Sequence, residues 1–436
     1  MILLIKKIKY KIKDSLAIFL IKLSLLINFP YLAVIAFIII AAKGGAKRDF
    51  KVLCMGRSVF INDVRTLEQF SQCIKYTTIH RKYFQMIFYH FMKGPDEKKL
   101  SEKNYHTHNY CQAGKQKYYL FLNKMFPLLH QVVGFDAVLC GNFGYPDQQE
   151  FEKICAEKKV PYIVLHKEGL IIPGSEKEWA KICKVYRFQG AKALFYNKNM
   201  LNALLNSGFS GISKDNVKIV GMPRLDPYFK LSQAESSNKQ ILFFSFYPND
   251  KMPGLVNDQE KIVEIKKRID NFHKWIINFA KQHKDFKVII KTRLADHYSQ
   301  YVEDILNNNF KENIDNLVIT NIGNPLDLIE NSSVVISFNS TTCIKAIVAG
   351  RMLISPYFGD LITDKSWDYF EDHPELVNYA KTEEDFNKYI LNYNNYFNYT
   401  LNDKKEFLDE LLGNPDGQSS LRAETAIIEA INEFKK

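Results

Sequence analysis

Residues 332–358 read SSVVISFNSTTCIKAIVAGRMLISPYF. A run of small and β-branched apolar residues leads into a group of short polar residues. A stretch with helical spacing follows, and glycine then introduces a second apolar run. This order predicts a buried strand, a crossover helix and a second strand parallel to the first. Units of this kind build α/β domains around a doubly wound parallel sheet.

The alternation of strands and helices extends from this stretch towards both ends of the 436-residue chain. Strand-like segments in the same half are ILFFSFYP, FKVIIKTR and LVITN, and those upstream are FKVLCMG, IKYTTI, DAVLCGNF, PYIVLHKEG and AKALFYN. A polar, serine-bearing segment at residues 231–240 separates the two groups and has the composition of a linker. A chain of 436 residues is too long for one hydrophobic core. The sequence therefore predicts two Rossmann-like domains, at residues 45–230 and 240–436, that face each other across a ligand cleft.

Composition and charge narrow the class of partner. Charged residues make up 25% of the chain and hydrophobic residues 46%, which is typical of a folded globular protein rather than a disordered one. The formal net charge of +11 indicates an anionic partner. Lysines crowd the first 13 residues, where an anionic membrane surface explains them better than a nucleic acid, so we predict no nucleic-acid partner. The seven cysteines form no CxxC pair and show no zinc-like spacing with histidine, so we expect reduced thiols and no metal site.

The first 44 residues differ from the rest of the chain. The segment MILLIKKIKYKIK alternates apolar residues with lysine, and a long apolar stretch follows that Lys22, Asn28 and Pro30 interrupt. This stretch is long enough to cross a hydrocarbon core of about 30 Å. It is either one spanning helix or a pair of short helices, broken at Pro30, that enters and leaves the same leaflet. A hairpin buried in the protein core is disfavoured because no polar face is visible. We predict a membrane-associating segment of the monotopic or re-entrant form at residues 1–44.

The polar residues between the strand and the helix of the opening stretch form the first candidate site. They are Ser337, Asn339, Ser340, Thr341 and Thr342. Backbone N–H groups and the positive end of a helix dipole make such a junction an anion site, and hydroxyls add donors for a phosphate. Helix capping explains one hydroxyl without any ligand. The density of the cluster exceeds what a cap needs and favours phosphate binding.

Two further candidate groups also follow predicted strands. Lys291 and Arg293 come after the apolar run of FKVIIKTR, where fixed cations suit the neutralisation of a diphosphate leaving group without a metal; a solvated basic strand end explains them equally well. His166 and Glu168 lie two residues apart in YIVLHKEG and share one side of an extended segment.

A carboxylate such as Glu168, with a pKa raised by burial, suits the deprotonation of an acceptor hydroxyl. A hydrogen-bonded structural histidine and a salt-bridged glutamate are the alternatives for this pair, and both stay open. For Arg224, in the rigid turn of VGMPRLDPYF, we favour a structural role, with Asp226 as a possible ion-pair partner.

Motifs of several other enzyme classes are missing from the sequence. It has no G-x-x-x-x-G-K-[ST] loop, which argues against a P-loop ATPase, and no G-x-S-x-G nucleophile elbow. No D-x-D pair follows a predicted strand, which argues against the metal-dependent one-domain glycosyltransferases.

The order of the segments resembles the GT-B superfamily of glycosyltransferases. It is similar in particular to bacterial surface-carbohydrate and capsule enzymes and to the teichoic-acid CDP-glycerol glycerophosphotransferases. The resemblance covers residues 50–436 and rests on HKEG, VGMPRLDPYF and IIKTR, and above all on the opening stretch. It implies an inverting, metal-independent transfer, without a cofactor, from a nucleotide-activated sugar donor to a lipid-linked or surface-polysaccharide acceptor.

The resemblance also implies roles for the candidate residues. The hydroxyls of residues 340–342 would contact the donor phosphates with the help of Lys291 and Arg293, and His166 or Glu168 would serve the acceptor. The N-terminal segment would hold the enzyme against membrane lipids at the cytoplasmic face of the inner membrane.

The sequence departs from the family pattern at two positions. Many relatives carry a ribose-binding glutamate on the donor helix, where this chain has Lys345, and many carry a His-Pro pair after the basic strand, where this chain has Thr292-Arg293 and a later His297. An unusual donor, a ribose held by other residues or a degenerate family member would explain these departures. Three alternatives to sugar transfer stay open: polyol-phosphate transfer from a CDP-linked donor, a sugar-nucleotide 2-epimerase, which would gain little from a membrane anchor, and a non-catalytic GT-B scaffold, which a ribose pocket blocked by Lys345 would favour.

Overall fold

The computed structural model describes residues 2–43, 48–56, 58–171, 175–231, 238–248, 258–362, 368–396 and 401–435. The chain divides into two compact units. The N-terminal unit comprises Met1–Ile171, Glu176–Asp226 and Glu410–Lys436, and the C-terminal unit comprises Ile172–Ser175 and Pro227–Asp409. The linker predicted at residues 231–240 lies largely outside the described residues.

In the described part of the chain, the N-terminal unit has a sheet of seven strands. They are β1 (Ala42–Lys43), β2 (Phe50–Gly56), β3 (Ile74–His80), β4 (Ala137–Cys140), β5 (Tyr162–Leu165), β6 (Lys192–Phe195) and β7 (Val217–Ile219). Their order is β1-β3-β2-β4-β5-β6-β7, with β1 antiparallel to β3 and every other neighbouring pair parallel. Every residue of β4 and β5 is buried, as expected for parallel strands that are covered on both faces.

Helices of the N-terminal unit lie between and around these strands. They are α1 (Ile2–Leu26), α2 (Tyr31–Ile40), α3 (Ser58–Phe70), α4 (Lys82–Met92), α5 (Gln112–Val133), α6 (Pro146–Glu157), α7 (Glu176–Cys183), α8 (Lys198–Asn206) and, from the C-terminus, α16 (Ser419–Lys435). Two helices, α9 (Asp226–Phe229) and α15 (Leu401–Leu412), each contain a boundary between the units.

The C-terminal unit has a sheet of six parallel strands among the described residues. They are β8 (Gln240–Phe244), β9 (Lys287–Lys291), β10 (Leu317–Thr320), β11 (Val334–Ile336), β12 (Met352–Pro356) and β13 (Asn378–Ala380), in the order β10-β9-β8-β11-β12-β13. Its helices are α10 (Gln259–Gln282), α11 (Asp296–Asn309), α12 (Pro325–Glu330), α13 (Thr341–Val348) and α14 (Glu383–Leu391).

Each sheet has a point at which the chain reverses its direction across the sheet. In the C-terminal unit the chain forms β8, β9 and β10 in one direction, and β11 then pairs with the other side of β8. In the N-terminal unit β4 likewise pairs with the side of β2 that β3 leaves open. The prediction of two doubly wound α/β domains is confirmed, and ligands of such sheets bind beyond the carboxyl ends of the strands at these reversals.

The last helix of the chain was expected in the C-terminal domain, but the structure groups residues 410–436 with the N-terminal unit. Helix α16 packs against α3 and β6. Its Glu424 carboxylate accepts hydrogen bonds from the backbone N–H groups of Gln72 (3.1 Å) and Cys73 (2.6 Å). The apolar face of α16 is therefore covered by α3 and β6 of the N-terminal unit, which sequence order alone does not reveal.

The N-terminal segment forms a helical hairpin that breaks at the predicted place. Helix α1 ends at Leu26, Asn28 adopts a left-handed φ of 51°, and Pro30 immediately precedes α2. Among the described residues, no helix combines the length and the apolarity that crossing a bilayer requires.

One face of the hairpin belongs to the core of the N-terminal unit, which corrects the interpretation that disfavoured a core hairpin. Its fully buried residues are Ala17, Ile21, Ala33, Val34, Ala36 and Phe37. Helix α2 packs on α5, and α1 packs on α4. Asp14 fixes the contact, because it accepts hydrogen bonds from Lys82 Nζ and the Tyr83 hydroxyl, both at 2.6 Å. The sequence did not show this, since the covering surface comes from helices far along the chain.

Candidate functional site

The polar cluster of the opening stretch lies at the junction of β11 and α13. Strand β11 ends at Ile336 and α13 begins at Thr341, with Ser340 as its N-cap. The Ser340 hydroxyl accepts a hydrogen bond from the backbone N–H of Thr342 at 3.3 Å, as in ordinary capping. The Ser337 and Thr342 hydroxyls hydrogen-bond to each other at 2.7 Å. The structure therefore links three of the five predicted residues directly.

The remaining geometry of this junction suits an anion. Asn339 has a left-handed φ of 40°, a conformation that few residues other than glycine adopt. Ser337 is buried, whereas Asn339, Ser340 and Thr341 are half-buried at the N-terminus of α13. The helix dipole places partial positive charge there, next to the reversal between β8 and β11. Capping accounts for Ser340, and phosphate binding by the cluster stays a prediction.

The basic pair lies at the end of β9, on the other side of β8. The Lys291 ammonium donates to the backbone carbonyls of Thr292 (2.7 Å) and Asn321 (2.9 Å), and burial lowers its pKa. Arg293 is exposed, with Nη1 3.3 Å from the Tyr298 hydroxyl. Because β8 separates β9 from β11, the two candidate groups start roughly 10 Å apart. The Lys291 ammonium is thus hydrogen-bonded to backbone carbonyls that follow β9 and β10, and Arg293 is the more accessible cation of the pair.

A serine–histidine pair that the sequence analysis missed lies between these groups. Ser245 directly follows β8, and its hydroxyl lies 2.9 Å from Nε2 of His273 on α10. Nδ1 of His273 lies 2.8 Å from the Ile269 carbonyl oxygen, which only accepts, so Nδ1 carries the proton and Nε2 accepts from Ser245. Burial lowers the pKa of His273 to about 4, which keeps the ring neutral. The available signal was a small polar residue directly after the apolar run ILFF.

His166 follows β5 in the N-terminal unit and is buried among aromatic rings. Its ring centre lies 4.9 Å from that of Phe143 and 5.9 Å from that of Phe195. Within the described residues, neither ring nitrogen has a hydrogen-bond partner, so the hydrogen-bonded structural histidine of the sequence analysis is not observed. Burial lowers the pKa of His166 to about 4. Because both ring nitrogens are buried, the ring has no route to an acceptor hydroxyl in this conformation.

Glu168 lies beyond the end of β5 and is partly exposed. Its carboxylate forms an ion pair with the buried ammonium of Lys167. Burial raises the pKa of Glu168, but hydrogen bonding and charge attraction from Lys167 outweigh burial, and the pKa lies below its ordinary value. The expectation of a raised pKa is therefore wrong, because the neighbouring cation was not counted. Glu168 is ionised at neutral pH and able to accept a proton.

Arg224 forms a buried ion pair, as a structural role would require, but its partner differs from the one predicted. Its Nη1 donates to Asp63 at 2.8 Å and to the Tyr196 hydroxyl at 3.3 Å, and Asp63 is fully buried. Asp226 instead accepts hydrogen bonds from the backbone N–H groups of Ser419 and Ser420, at 3.1 and 2.6 Å. The pairing with Asp63, 161 positions upstream, has no local sequence signal.

Asn197 holds the loop that follows Glu168. Its side-chain amide donates to the carbonyl oxygens of Gly169 (2.9 Å) and Leu411 (2.8 Å), and its oxygen caps α8 through the backbone N–H of Met200 (2.9 Å). All of these hydrogen bonds lie within the N-terminal unit. The carboxyl edge around β5 and β6 is thus fixed by a side chain that the sequence analysis did not single out.

Lys345, in place of the glutamate of many GT-B relatives, lies in the second turn of α13. Its ammonium is 5.5 Å from the centre of the Tyr228 ring, within the C-terminal unit. Among the described residues, no group of three or more histidine, cysteine, aspartate or glutamate side chains is arranged to hold a metal ion.

Comparison with known proteins identifies the fold. No protein-family model and no curated protein matches the sequence. A solved structure of a putative UDP-N-acetylglucosamine 2-epimerase from Listeria monocytogenes is similar, with a TM-score of 0.53 and 10% identity over 89% of this chain and 98% of that one. A second UDP-N-acetylglucosamine 2-epimerase structure matches with a TM-score of 0.51 and 12% identity, over 89% of this chain and 97% of that one. The expected GT-B fold is thereby confirmed.

Proposed function

We propose that this GT-B protein is a membrane-associated glycosyltransferase. It transfers a sugar from a nucleotide-activated donor to a lipid-linked or surface-polysaccharide acceptor, with inversion and without a metal. The observation that carries the proposal is the hydroxyl-rich junction of β11 and α13 at the strand reversal of the C-terminal unit. The epimerases with similar structures are named for a UDP-sugar, which agrees with a nucleotide-sugar ligand.

The donor phosphates bind at the N-terminus of α13 in this proposal. Backbone N–H groups and the hydroxyls of Ser340 and Thr341 face the ligand, while the Ser337–Thr342 hydrogen bond holds the loop. Arg293 is the more accessible of the two cations for the diphosphate, and Ser245, whose hydroxyl donates to His273, lies at the same strand edge. Groups fixed before the reaction stabilise the charge that develops on the leaving diphosphate.

Glu168 is the base for the acceptor in this proposal. It takes the proton of the acceptor hydroxyl as the oxygen attacks the anomeric carbon, and the bond from that carbon to the phosphate oxygen breaks. The nucleoside diphosphate leaves with the electron pair of that bond, and the configuration at the anomeric carbon is inverted. Lys167 keeps Glu168 ionised, and Asn197 fixes the loop after it. His166 is left as a residue of the aromatic cluster and not as the base.

The outer face of the N-terminal hairpin supports membrane association. Large apolar side chains of α1 are exposed at one helical face: Ile8 (50%), Ile12 (63%), Leu16 (45%) and Phe19 (59%). Exposed residues around the turn extend this surface: Leu26, Ile27, Phe29, Tyr31 and Ile35. Lysines 9, 11, 13 and 22 are exposed on the same hairpin. Apolar residues flanked by lysines suit the interface of an anionic bilayer. The outer face of the hairpin would contact this interface while its inner face stays packed in the core of the N-terminal unit.

Product analysis tests the proposal. The full-length protein is incubated with UDP-, GDP-, CDP- and CMP-linked sugars and with CDP-glycerol, together with a lipid extract of bacterial membranes, and the products are identified by mass spectrometry. A sugar on a lipid or glycan acceptor supports the proposal. Three other results would contradict it. Transfer of glycerol phosphate would indicate a polyol-phosphate transferase, epimerisation of the nucleotide sugar without transfer would indicate an epimerase, and binding of no nucleotide would indicate a non-catalytic scaffold.

A further inference from the structure

A groove lies between α7 and α8 of the N-terminal unit, with a volume of about 700 Å³. Lysine and asparagine side chains line both sides of it: Lys177 and Lys181 from α7, with Lys184 directly after that helix, and Asn199, Asn202 and Asn206 from α8. The spacings of three, four and seven residues place each set on one face of its helix. Ala180 and Ala203 also line the groove, and their small side chains leave it open.

The lysines give the groove an unbalanced positive charge. All three ammonium-bearing side chains are exposed. None of the three takes part in an ion pair or hydrogen bond within the described part of the chain, whereas many other lysines of the N-terminal unit do. Glu176 is the single carboxylate among the lining residues. The groove therefore presents cations that are available to an anionic ligand.

The asparagines indicate which kind of anion fits. Each amide offers donors and an acceptor, the combination that pairs with the vicinal hydroxyls of a sugar. The lining residues include no aromatic ring, so the groove lacks the stacking platform that binders of single-stranded nucleic acid use. Sugar units that carry carboxylates or phosphates match both walls.

The groove begins at the sheet edge where Glu168 lies. Helices α7 and α8 both follow strands of the sheet, so their first turns lie at its carboxyl edge. Glu176 and Asn199 belong to these first turns, and Lys184 and Ser207 lie at the far ends. The Asn197 side chain connects the first turn of α8 to the Gly169 carbonyl, one residue after Glu168. A chain held in the groove thus has one end near the proposed base.

We infer that the groove binds a polyanionic glycan, the non-reacting part of the acceptor. The inference rests on the proposed function and adds the substrate class: a saccharide chain with carboxylate or phosphate groups that lies along α7 and α8. The lysines neutralise its charges, and the asparagines hydrogen-bond its hydroxyls.

The test measures binding of the full-length protein to an oligogalacturonate, with a maltooligosaccharide of equal length as the neutral counterpart. The variant Lys177→Gln/Lys181→Gln/Lys184→Gln removes the three wall cations. The control Lys117→Gln/Lys124→Gln/Lys158→Gln removes the same charge from exposed positions elsewhere on the unit. We expect the groove variant to lose roughly tenfold to a hundredfold in affinity and the control to lose far less. Equal losses in both variants would overturn the inference, because only overall charge would matter.

Two further arms separate a glycan from other polyanions. The variant Asn202→Leu/Asn206→Leu leaves the charge of the groove unchanged. It is expected to weaken the binding of oligogalacturonate but not the binding of inorganic polyphosphate, which has no sugar hydroxyls. A loss for both probes, or a single-stranded DNA oligonucleotide that binds the native groove more tightly than the oligogalacturonate, would overturn the assignment to a glycan. Lys177→Arg/Lys181→Arg/Lys184→Arg is expected to retain binding, which excludes misfolding as the cause of a loss.

Nucleotide-sugar binding is measured on the same variants, so the inference and the proposed function fail separately. If the native protein transfers a sugar but the groove variant binds oligogalacturonate with native affinity, the groove inference is wrong and the proposed function stands. Groove-dependent binding in a protein that accepts no nucleotide sugar would end the proposed transferase instead, and with it the role of the groove as an acceptor site.

Discussion

The charge state of the proposed base depends mainly on one neighbouring cation, Lys167. Burial alone would raise the pKa of Glu168. The hydrogen bond and ion pair with Lys167 lower it most, and His166 and Arg224 lower it further. Activity that requires ionised Glu168 therefore persists until the pH falls below the ordinary range of a glutamate, about 4.3. The protonation of Glu168 is thus set mainly by the residue before it in sequence, in a segment that Asn197 holds in place.

Replacing Lys167 with methionine tests this dependence. Without the cation, burial is expected to dominate and to raise the pKa of Glu168, so the acidic limb of the pH–rate profile should move to higher pH. The measurement is the pH dependence of kcat/KM for the native protein, Lys167→Met and Lys167→Arg. The arginine variant retains the charge and should keep the native profile. If the acidic limb of the pH–rate profile does not move in Lys167→Met, or is still present in Glu168→Gln, Glu168 is not the base.

The buried ion pair of Arg224 gives a prediction about stability. Arg224→Met leaves the fully buried Asp63 carboxylate without its cation, which is expected to lower the free energy of unfolding by about 3–5 kcal/mol. Asp63→Asn/Arg224→Met removes the unpaired charge as well and should recover part of the loss. Urea unfolding of both variants is the measurement. A double variant no more stable than Arg224→Met would show that the pair does not act through charge.

At the scale of elements, the strands were predictable and the hairpin was not. FKVLCMG and DAVLC are continuous apolar runs because β2 and β4 lie inside a covered parallel sheet, and such runs have few other interpretations. The hairpin is apolar for two different reasons. Its inner face packs on α4 and α5, and its outer face is exposed. A sequence shows that both faces are apolar but not which one the fold covers.

The outer face of the hairpin is expected to carry membrane binding. Leu16→Asp/Phe19→Asp places charge on the exposed stripe and should abolish flotation with vesicles of phosphatidylcholine and phosphatidylglycerol, because each buried large apolar side chain contributes about 1.5–3 kcal/mol. Leu294→Asp/Ile322→Asp alters two exposed apolar residues of the C-terminal unit and serves as the control. Native protein that does not float, or a control that fails equally, would contradict a specific membrane face.

For the whole molecule, chain order and spatial order differ in ways that the sequence could not reveal. Strand periodicity was sufficient to predict two doubly wound sheets, whereas α16 joins the first unit through contacts of Glu424 with residues more than 350 positions upstream. The candidate site shows the same limit. The sequence located Ser337, Ser340 and Thr342 at one strand–helix junction because they are neighbours in the chain. It missed Ser245–His273 and Arg224–Asp63, because both pairs form between distant segments.

The central claim, that a nucleotide-sugar donor binds at the junction of β11 and α13, is tested most directly by thermal unfolding of the full-length protein with UDP-, GDP-, CDP- and CMP-linked sugars. We expect one nucleotide to raise the Tm of the native protein and Ser340→Ala/Thr341→Ala to bind it about tenfold to a hundredfold more weakly, as expected for lost hydrogen bonds to a charged group. Thr382→Ala removes a comparable helix cap, that of α14, and should leave the affinity unchanged. Equal affinity in the folded Ser340→Ala/Thr341→Ala variant, or no response of the native protein to any nucleotide sugar, would contradict the claim.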